Sequence, residues 1–135
     1  MTKLDDAITL AKKSHAGQMR SNGKPYIIHC LEVMKLMQNF TTDEDLLCAA
    51  VLHDVPEDTK VTIEDIENKF GTRVAYTVSQ VTRDKQGNFN LITPEAKLLK
   101  MCDRIHNLSD MDGWVEEHVF KYLGETRTLL VENYL

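Results

Sequence analysis

Apolar residues recur at three- and four-residue spacing along most of the chain, and alternating strand-like patterns are hard to find. This spacing is typical of helices that bury one face. It predicts helices over residues 4–15, 25–40, 62–70, 72–81, 93–108 and 115–134, and one more that ends near residue 53. The sequence therefore predicts an all-α fold.

Two of these helices have recognisable beginnings. Thr41 and Thr42, followed by Glu44 and Asp45, are typical of a capping arrangement before the helix that ends near residue 53. Thr62 lies three residues before Asp65 and opens the next helix in the same way.

The spacing also predicts which faces point inward. On the second helix, His29 shares a face with Tyr26, Val33 and Met37, so we expect its imidazole to be buried. The last helix shows similar spacing at Phe120, Leu123, Arg127 and Leu130.

The composition is that of an ordinary globular protein, with 42% hydrophobic and 27% charged residues in 135. No linker or repeat divides the chain, so we expect one domain over residues 1–135. The formal net charge of −5 disfavours binding to nucleic acid and to anionic membranes. An anionic substrate would therefore need a local cationic pocket.

Three cysteines, Cys30, Cys48 and Cys102, lie in apolar helical contexts without a CxxC pair, and we expect them to be reduced core thiols. The N-terminus does not resemble a signal peptide. No window approaches the roughly 18 apolar residues that a membrane span needs. We expect a soluble, cytoplasmic protein; its oligomeric state has no signal in the sequence.

The segment 52–59 reads LHDVPEDT and concentrates potential metal and proton ligands at the end of an apolar run. A histidine next to an aspartate can bind a divalent cation, and carboxylates nearby can move protons around a metal-bound water. An enzyme is the leading interpretation of this segment.

Further candidate ligands lie on two other predicted helices, His29 on the second and Asp103 on the sixth. Two imidazoles and two carboxylates suit manganese, iron or another octahedral divalent ion. His53 and Asp54 can share an ion only over the groove between them or where their helix ends, and Pro56 favours an ending. Taken alone, His29 is more often a hydrogen-bonded core histidine and Asp103 a solvated acid. Only the combination favours a metal site.

Glu57 and Asp58 have two interpretations. They can be exposed acids near a helix start, where carboxylates are stabilised. Their position one turn after His53 favours an acid–base pair, in which one carboxylate accepts a proton from water and the other protonates a leaving oxygen.

Five segments together resemble the HD-domain hydrolases of the RelA/SpoT type. They are RSNGKPYIIH at 20–29, HDVPEDT at 53–59, FGTRVAYTVSQVTR at 70–83, KMCDRIHNL at 100–108 and KYLGETRTLL at 121–130. The resemblance covers nearly the whole chain, and it implies an HD-domain helical bundle.

The resemblance implies a role for each candidate residue. One manganese ion would be held by His29, His53, Asp54 and Asp103, and Glu57 with Asp58 would position and activate water. Arg20 would stack on a purine base, and Asn107 would contact the sugar. The implied reaction removes the 3′-pyrophosphate from guanosine tetra- or pentaphosphate alarmones and yields GDP or GTP with pyrophosphate. No synthetase segment follows, so we expect a stand-alone small alarmone hydrolase.

Three departures from the family pattern thin the positive charge around the phosphates. Ser21 follows Arg20 where relatives carry a basic residue, and Ser109 with Asp110 follows the asparagine where they often carry a basic residue and a threonine. The segment before Asp103 also lacks the family's Glu-Asn-x-x-Lys/Arg helix. Four cations can compensate, of which Lys24 is the expected substrate ligand; the others are Lys85, Lys100 and Arg104.

Three alternatives remain open from the sequence. The same metal chemistry can act on another nucleotide, such as an adenosine analogue of the alarmones or the 2′-phosphate of NADPH. The chain can also be a nucleotide-binding module without catalysis, although a binder does not need both Glu57 and Asp58. A metal-free structural bundle is the least favoured.

Overall fold

The computed structural model describes residues 1–134, which form helices joined by short loops. The eight helices of this part of the chain are α1 (Lys3–Ser14), α2 (Tyr26–Met37), α3 (Glu44–Leu52), α4 (Val55–Asp58), α5 (Ile63–Phe70), α6 (Thr72–Gln80), α7 (Pro94–Ser109) and α8 (Glu116–Asn133). Over these residues there is no strand, only an isolated antiparallel bridge between Met19 and Pro25. The all-α prediction is confirmed.

Helix α3 lies at the centre of the core. Every residue from Leu46 to Leu52 is buried, and α3 contacts α1, α2 and α6. Helix α7 packs against α2 and also contacts α6. Helix α2 therefore contacts both α3 and α7, which carry or precede the other candidate ligands.

Local capping explains several helix boundaries, with one correction. The predicted capping box at Thr62 and Asp65 begins α5. Helix α3, however, is capped by Asp43, whose side chain accepts a hydrogen bond from Asp45 N. Thr41 instead accepts from Asp43 N at 3.0 Å and so orders the turn before the helix. An aspartate and a threonine are both good N-caps, and spacing alone did not separate them.

The apolar stripe predicted for α8 is wrong. Phe120 and Leu123 are 65% and 43% exposed. The face of α8 that turns toward the body of the protein carries Tyr122, Glu125 and Thr126, which contact Arg104 of α7. Because the buried guanidinium of Arg104 needs polar partners, α8 turns its polar residues rather than its apolar ones toward α7.

Two glycines bring the loop 15–25 against the loop before α8. Gly23 adopts a φ of +84°, and its N–H donates to Arg20 O at 2.9 Å, which closes a tight turn. At Gly113 an added Cβ would lie 2.7 Å from Ser21 O. Only glycine permits this approach, which places Trp114 beside Arg20 in one hollow.

The three cysteines are buried and unpaired with one another, as predicted. None of the helices described in residues 1–134 has the length and apolar character needed to cross a membrane.

We expect Ile66→Ala to reduce the free energy of unfolding by about 2–5 kcal/mol, because Ile66 is fully buried and its truncation leaves a cavity. The matched control is Ile92→Ala, since Ile92 is 64% exposed and should cost about 0.5 kcal/mol or less. Urea denaturation followed by circular dichroism measures both. Equal losses in the two variants would contradict this packing.

Candidate metal centre and nucleotide site

Four buried side chains converge where α2, α7 and the end of α3 meet. His29 lies on α2 and Asp103 on α7, while His53 and Asp54 occupy the break between α3 and α4. One ligand atom from each of the four lies within 4.8 Å of the other three. The helix end predicted near His53 is therefore present, and it lets His53 and Asp54 face one point.

The two carboxylates each face both imidazoles. Asp103 Oδ1 lies 2.9 Å from His29 Nε2 and 3.2 Å from His53 Nε2. Asp54 Oδ2 lies 3.0 Å from His53 Nε2 and 3.4 Å from His29 Nε2. Two nitrogen and two oxygen donors in this arrangement are consistent with a divalent metal site.

The far side of each imidazole decides which nitrogen can bind a cation. His53 Nδ1 donates to Ala50 O at 2.7 Å, so its Nε2 presents a lone pair toward the cluster when the ring is neutral. His29 Nδ1 lies 2.8 Å from His106 Nδ1. Burial, with help from the neighbouring His29 and Arg20, lowers the pKa of His106, so a neutral His106 can accept the proton of His29. Such a contact orients a metal-binding histidine.

His106 was not among the predicted site residues. Its signal was its place three residues after Asp103, which puts it on the same face of α7.

The charges of the cluster stabilise one another. Burial by itself raises the pKa of Asp54, but the His53 charge and hydrogen bonds from both histidines outweigh it and hold that pKa well below the ordinary value. Burial also opposes ionisation of Asp103, yet Lys100 and the two histidines lower its pKa strongly. In turn the two carboxylates raise the pKa of His53 against the effect of its burial. A divalent cation would take the place of the protons on the imidazoles.

Two further groups complete the surroundings of the carboxylates. Lys100 Nζ, which is buried, contacts Asp103 Oδ2 at 3.0 Å. Tyr26 donates its hydroxyl to Asp54 Oδ2 at 2.6 Å. Lys100 therefore neutralises a carboxylate of the cluster. Only the Oδ1 atom of Asp103 faces the two histidines, because Oδ2 contacts Lys100.

Glu57 and Asp58 lie beside the cluster on α4, a single helical turn that the sequence pattern did not predict as a helix. Asp58 N donates to Asp54 O at 3.0 Å, which fixes α4 to the cluster. Glu57 Oε1 accepts from Arg83 N at 2.7 Å. Partial burial, followed by the negative charge of Asp54, raises the pKa of both carboxyl groups. Raised pKa values suit groups that exchange protons.

Arg20 and Asn107 lie in contact at the other side of the cluster. Arg20 donates from Nη2 to Asn107 Oδ1 at 2.9 Å, and its Nε lies 3.1 Å from Asp110 Oδ2. Asp110 also pairs with Lys24, whose side chain is 58% exposed, at 3.3 Å. Trp114 lines the same hollow of about 250 Å³. The side chain of Arg20 is therefore fixed by Asn107 and Asp110. Lys24 lies at the rim of the hollow, and Asp110 neutralises part of its charge.

The remaining two candidate cations have different environments. Lys85 is exposed in the loop before α7. Arg104 is buried, stacks over the Tyr122 ring at 4.1 Å, and forms an ion pair with Glu125.

Comparisons with known proteins show which family the chain is similar to. The HD domain family matches residues 7–89. The human guanosine-3′,5′-bis(diphosphate) 3′-pyrophosphohydrolase MESH1 is 34% identical over 142 residues, which cover 89% of this chain and 78% of the human protein. The protein of the same enzymatic name from Aquifex aeolicus is 34% identical over 138 residues and 92% of this chain. The chain spans about a fifth of that longer bacterial relative.

The fold also matches a solved structure. A metazoan orthologue of SpoT, described as hydrolysing ppGpp and as having a role in starvation responses, aligns with a TM-score of 0.83 at 30% identity. The alignment covers 96% of this chain and 84% of that one.

We expect Asp54→Asn to lose most of the divalent metal that the wild-type protein carries, because the amide keeps the size of the side chain but removes its negative charge. Elemental analysis of purified protein measures this. Glu64→Gln is the control, since Glu64 is an exposed acid on α5. Equal metal content in all three proteins would contradict the site.

Proposed function

The chain belongs to the HD domain family, and from that premise we propose that it hydrolyses the 3′-pyrophosphate of guanosine tetra- and pentaphosphate with a divalent metal ion. Family membership confirms the resemblance inferred from the motifs. The observation that carries the proposal is the buried cluster of His29, His53, Asp54 and Asp103 directly beside two carboxyl groups of raised pKa. The relatives named as 3′-pyrophosphohydrolases support the choice of substrate.

We propose manganese as the ion, held by His29, His53, Asp54 and Asp103. Two imidazoles and two carboxylates leave positions for water, as manganese accepts. Bound there, the ion would lower the pKa of a water and offset charge on the attacked phosphate.

Glu57 and Asp58 carry the proton transfers in this proposal. A water oxygen forms a bond to the phosphorus attached to the 3′ oxygen, and the bond between that phosphorus and the 3′ oxygen breaks. One carboxylate takes the proton that the water loses, and the other carboxyl group gives a proton to the departing 3′ oxygen. The products are GDP or GTP and pyrophosphate.

Arg20 and Asn107 bind the nucleoside in this proposal. The planar guanidinium can lie on a purine base, a contact that lysine makes less well. Its contacts with Asn107 and Asp110 hold it in place. Asn107 would then contact the sugar, and Lys24 would supply charge from the rim.

We further propose that residues 1–135 act as one cytoplasmic domain, in keeping with three buried, reduced thiols.

A second candidate is the same chemistry on another nucleotide, an adenosine analogue of the alarmones or the 2′-phosphate of NADPH. The observation that favours it is Asp110, which neutralises part of the charge of Arg20 and Lys24. A weaker cationic field at this end changes which phosphate pattern is bound best.

A nucleotide panel tests the substrate. With manganese, we expect guanosine tetraphosphate to release stoichiometric pyrophosphate, and chelation of the metal to abolish the release. The adenosine analogue and NADPH are assayed in parallel for pyrophosphate and phosphate. Faster release from either one would shift the assignment to the second candidate, and tight binding without any turnover would leave a binding module.

Glu57→Gln and Asp58→Asn should each lower kcat by roughly 10²–10⁴-fold while the bound metal stays in place. Glu64→Gln again serves as the control. Because the pKa of both carboxyl groups is raised, the group that acts as a base becomes protonated at a higher pH than an ordinary carboxylate. The acid limb of the kcat profile should accordingly lie above the usual carboxyl pKa of about 4. Full activity in both variants would remove them from the mechanism.

A further inference from the structure

A hollow of about 680 Å³ opens between α8 and the loop 83–92. Its wall includes three basic side chains, Arg83, His118 and Lys121, together with Tyr122 and two acidic residues, Glu117 and Glu125. The proposed chemistry does not use any of these residues.

Three hydrogen bonds connect the wall of the hollow with the surroundings of the metal centre. Tyr122 accepts at its hydroxyl from Asn107 Nδ2 at 2.9 Å, and the same amide lies 3.3 Å from Asp103 Oδ1. On the other side, the backbone of Arg83 donates to Glu57. The hollow therefore lies beside the residues that surround the metal centre.

Arg83 is held in this wall by several contacts. Its guanidinium makes two hydrogen bonds to the Glu125 carboxylate, at 2.7 and 2.9 Å, and donates to Gly87 O at 2.9 Å. It also lies 4.4 Å from the centre of the Phe89 ring. The side chain keeps 38% exposure, so an oriented cation remains accessible to an anion.

The carboxylate of Glu125 forms ion pairs with two guanidinium groups. Glu125 pairs with both Arg83 and the buried Arg104, and their hydrogen bonds, chiefly that of Arg83, lower the pKa of Glu125 to about 2. Glu125 is therefore ionised at neutral pH, and the three groups together keep one net positive charge. Lys100, whose ammonium lies 3.7 Å from the Phe89 ring centre, stands on the side toward Asp103.

A polyphosphate needs such a cation here. The centre brings together the carboxyl groups of Asp54, Asp103, Glu57 and Asp58, and one of the last two is protonated in the proposed chemistry. Lys100 and a divalent ion balance the other three charges and leave no positive charge over for the substrate. A substrate that carries several negative charges must find further positive charge nearby, since like charges destabilise the complex.

We propose that Arg83, assisted by His118 and Lys121, is an anion subsite for the polyphosphate of the nucleotide, and that Glu125 orients Arg83 and limits its affinity. The proposal rests on the proposed function for the identity of the ligand as a nucleotide polyphosphate. A planar guanidinium binds phosphate through two parallel hydrogen bonds. Arg83 thus supplies charge that this chain lacks at Ser21 and in the segment before Asp103.

Inorganic pyrophosphate is the probe for the test. It is titrated into the purified full-length protein, and binding is followed by calorimetry and by the fluorescence of Trp114, the single tryptophan. Trp114 reports on the hollow because its ring centre lies 4.6 Å from that of His118 and 5.2 Å from that of Tyr122.

Two variants should shift the affinity in opposite directions. Arg83→Gln should weaken pyrophosphate binding at least tenfold, and Glu125→Gln should strengthen it, because that change removes the competing negative charge. Arg73→Gln, which removes an arginine paired with Asp43 elsewhere on the surface, should leave the affinity unchanged. A purely structural Arg83–Glu125 pair would instead give losses of the same sign in both variants, which would overturn the subsite.

Asp54→Asn separates this subsite from binding through the metal. Pyrophosphate binding that survives in Asp54→Asn and falls in Arg83→Gln supports the subsite; binding lost in Asp54→Asn and unchanged in Arg83→Gln overturns it. Turnover of guanosine tetraphosphate is measured on the same preparations. Arg83-dependent binding without turnover would refute only the proposed function, and turnover with binding indifferent to Arg83 would refute only the subsite.

Discussion

The buried Asp103 carboxylate is the contact on which the arrangement of the helices around the site depends. It meets His29 of α2, His53 at the end of α3 and Lys100 of its own helix. A buried charge without such partners costs several kcal/mol, so the three helices are stable together only when these groups converge. The buried apolar residues of α3 supply core packing next to these groups.

The carboxylates that hold the helices together also make the site strongly negative. A site rich in carboxylates suits a cation and repels a phosphorylated nucleotide. The structure also uses two of its cations internally, Lys100 against Asp103 and Arg104 against Glu125. The balance between Arg83 and Glu125 on one side, and Arg20 and Asp110 on the other, therefore decides how a polyanion is held.

Most of the fold could be predicted because local rules select it. Thr62 and Asp65 cap α5, and the inward face of α2 follows from helical spacing around His29. These local rules gave a wrong face for α8, because a residue distant in the sequence determines which side of that helix is buried. The buried Arg104 turns polar residues of α8 inward and leaves Phe120 exposed, which no local apolar spacing can reveal.

The sequence by itself determined the class of chemistry. Each motif spans only a few residues, so the sequence alone reveals the types and order of the candidate ligands. It also reveals the adjacent acids Glu57 and Asp58 and the resemblance to a family. The tertiary structure decided which charges are available. His29 meets Asp103 across 74 residues and Arg83 meets Glu125 across 42, and such pairings arise only when packing brings separate helices together. Whether a lysine or arginine binds a ligand or another side chain depends on those distant partners.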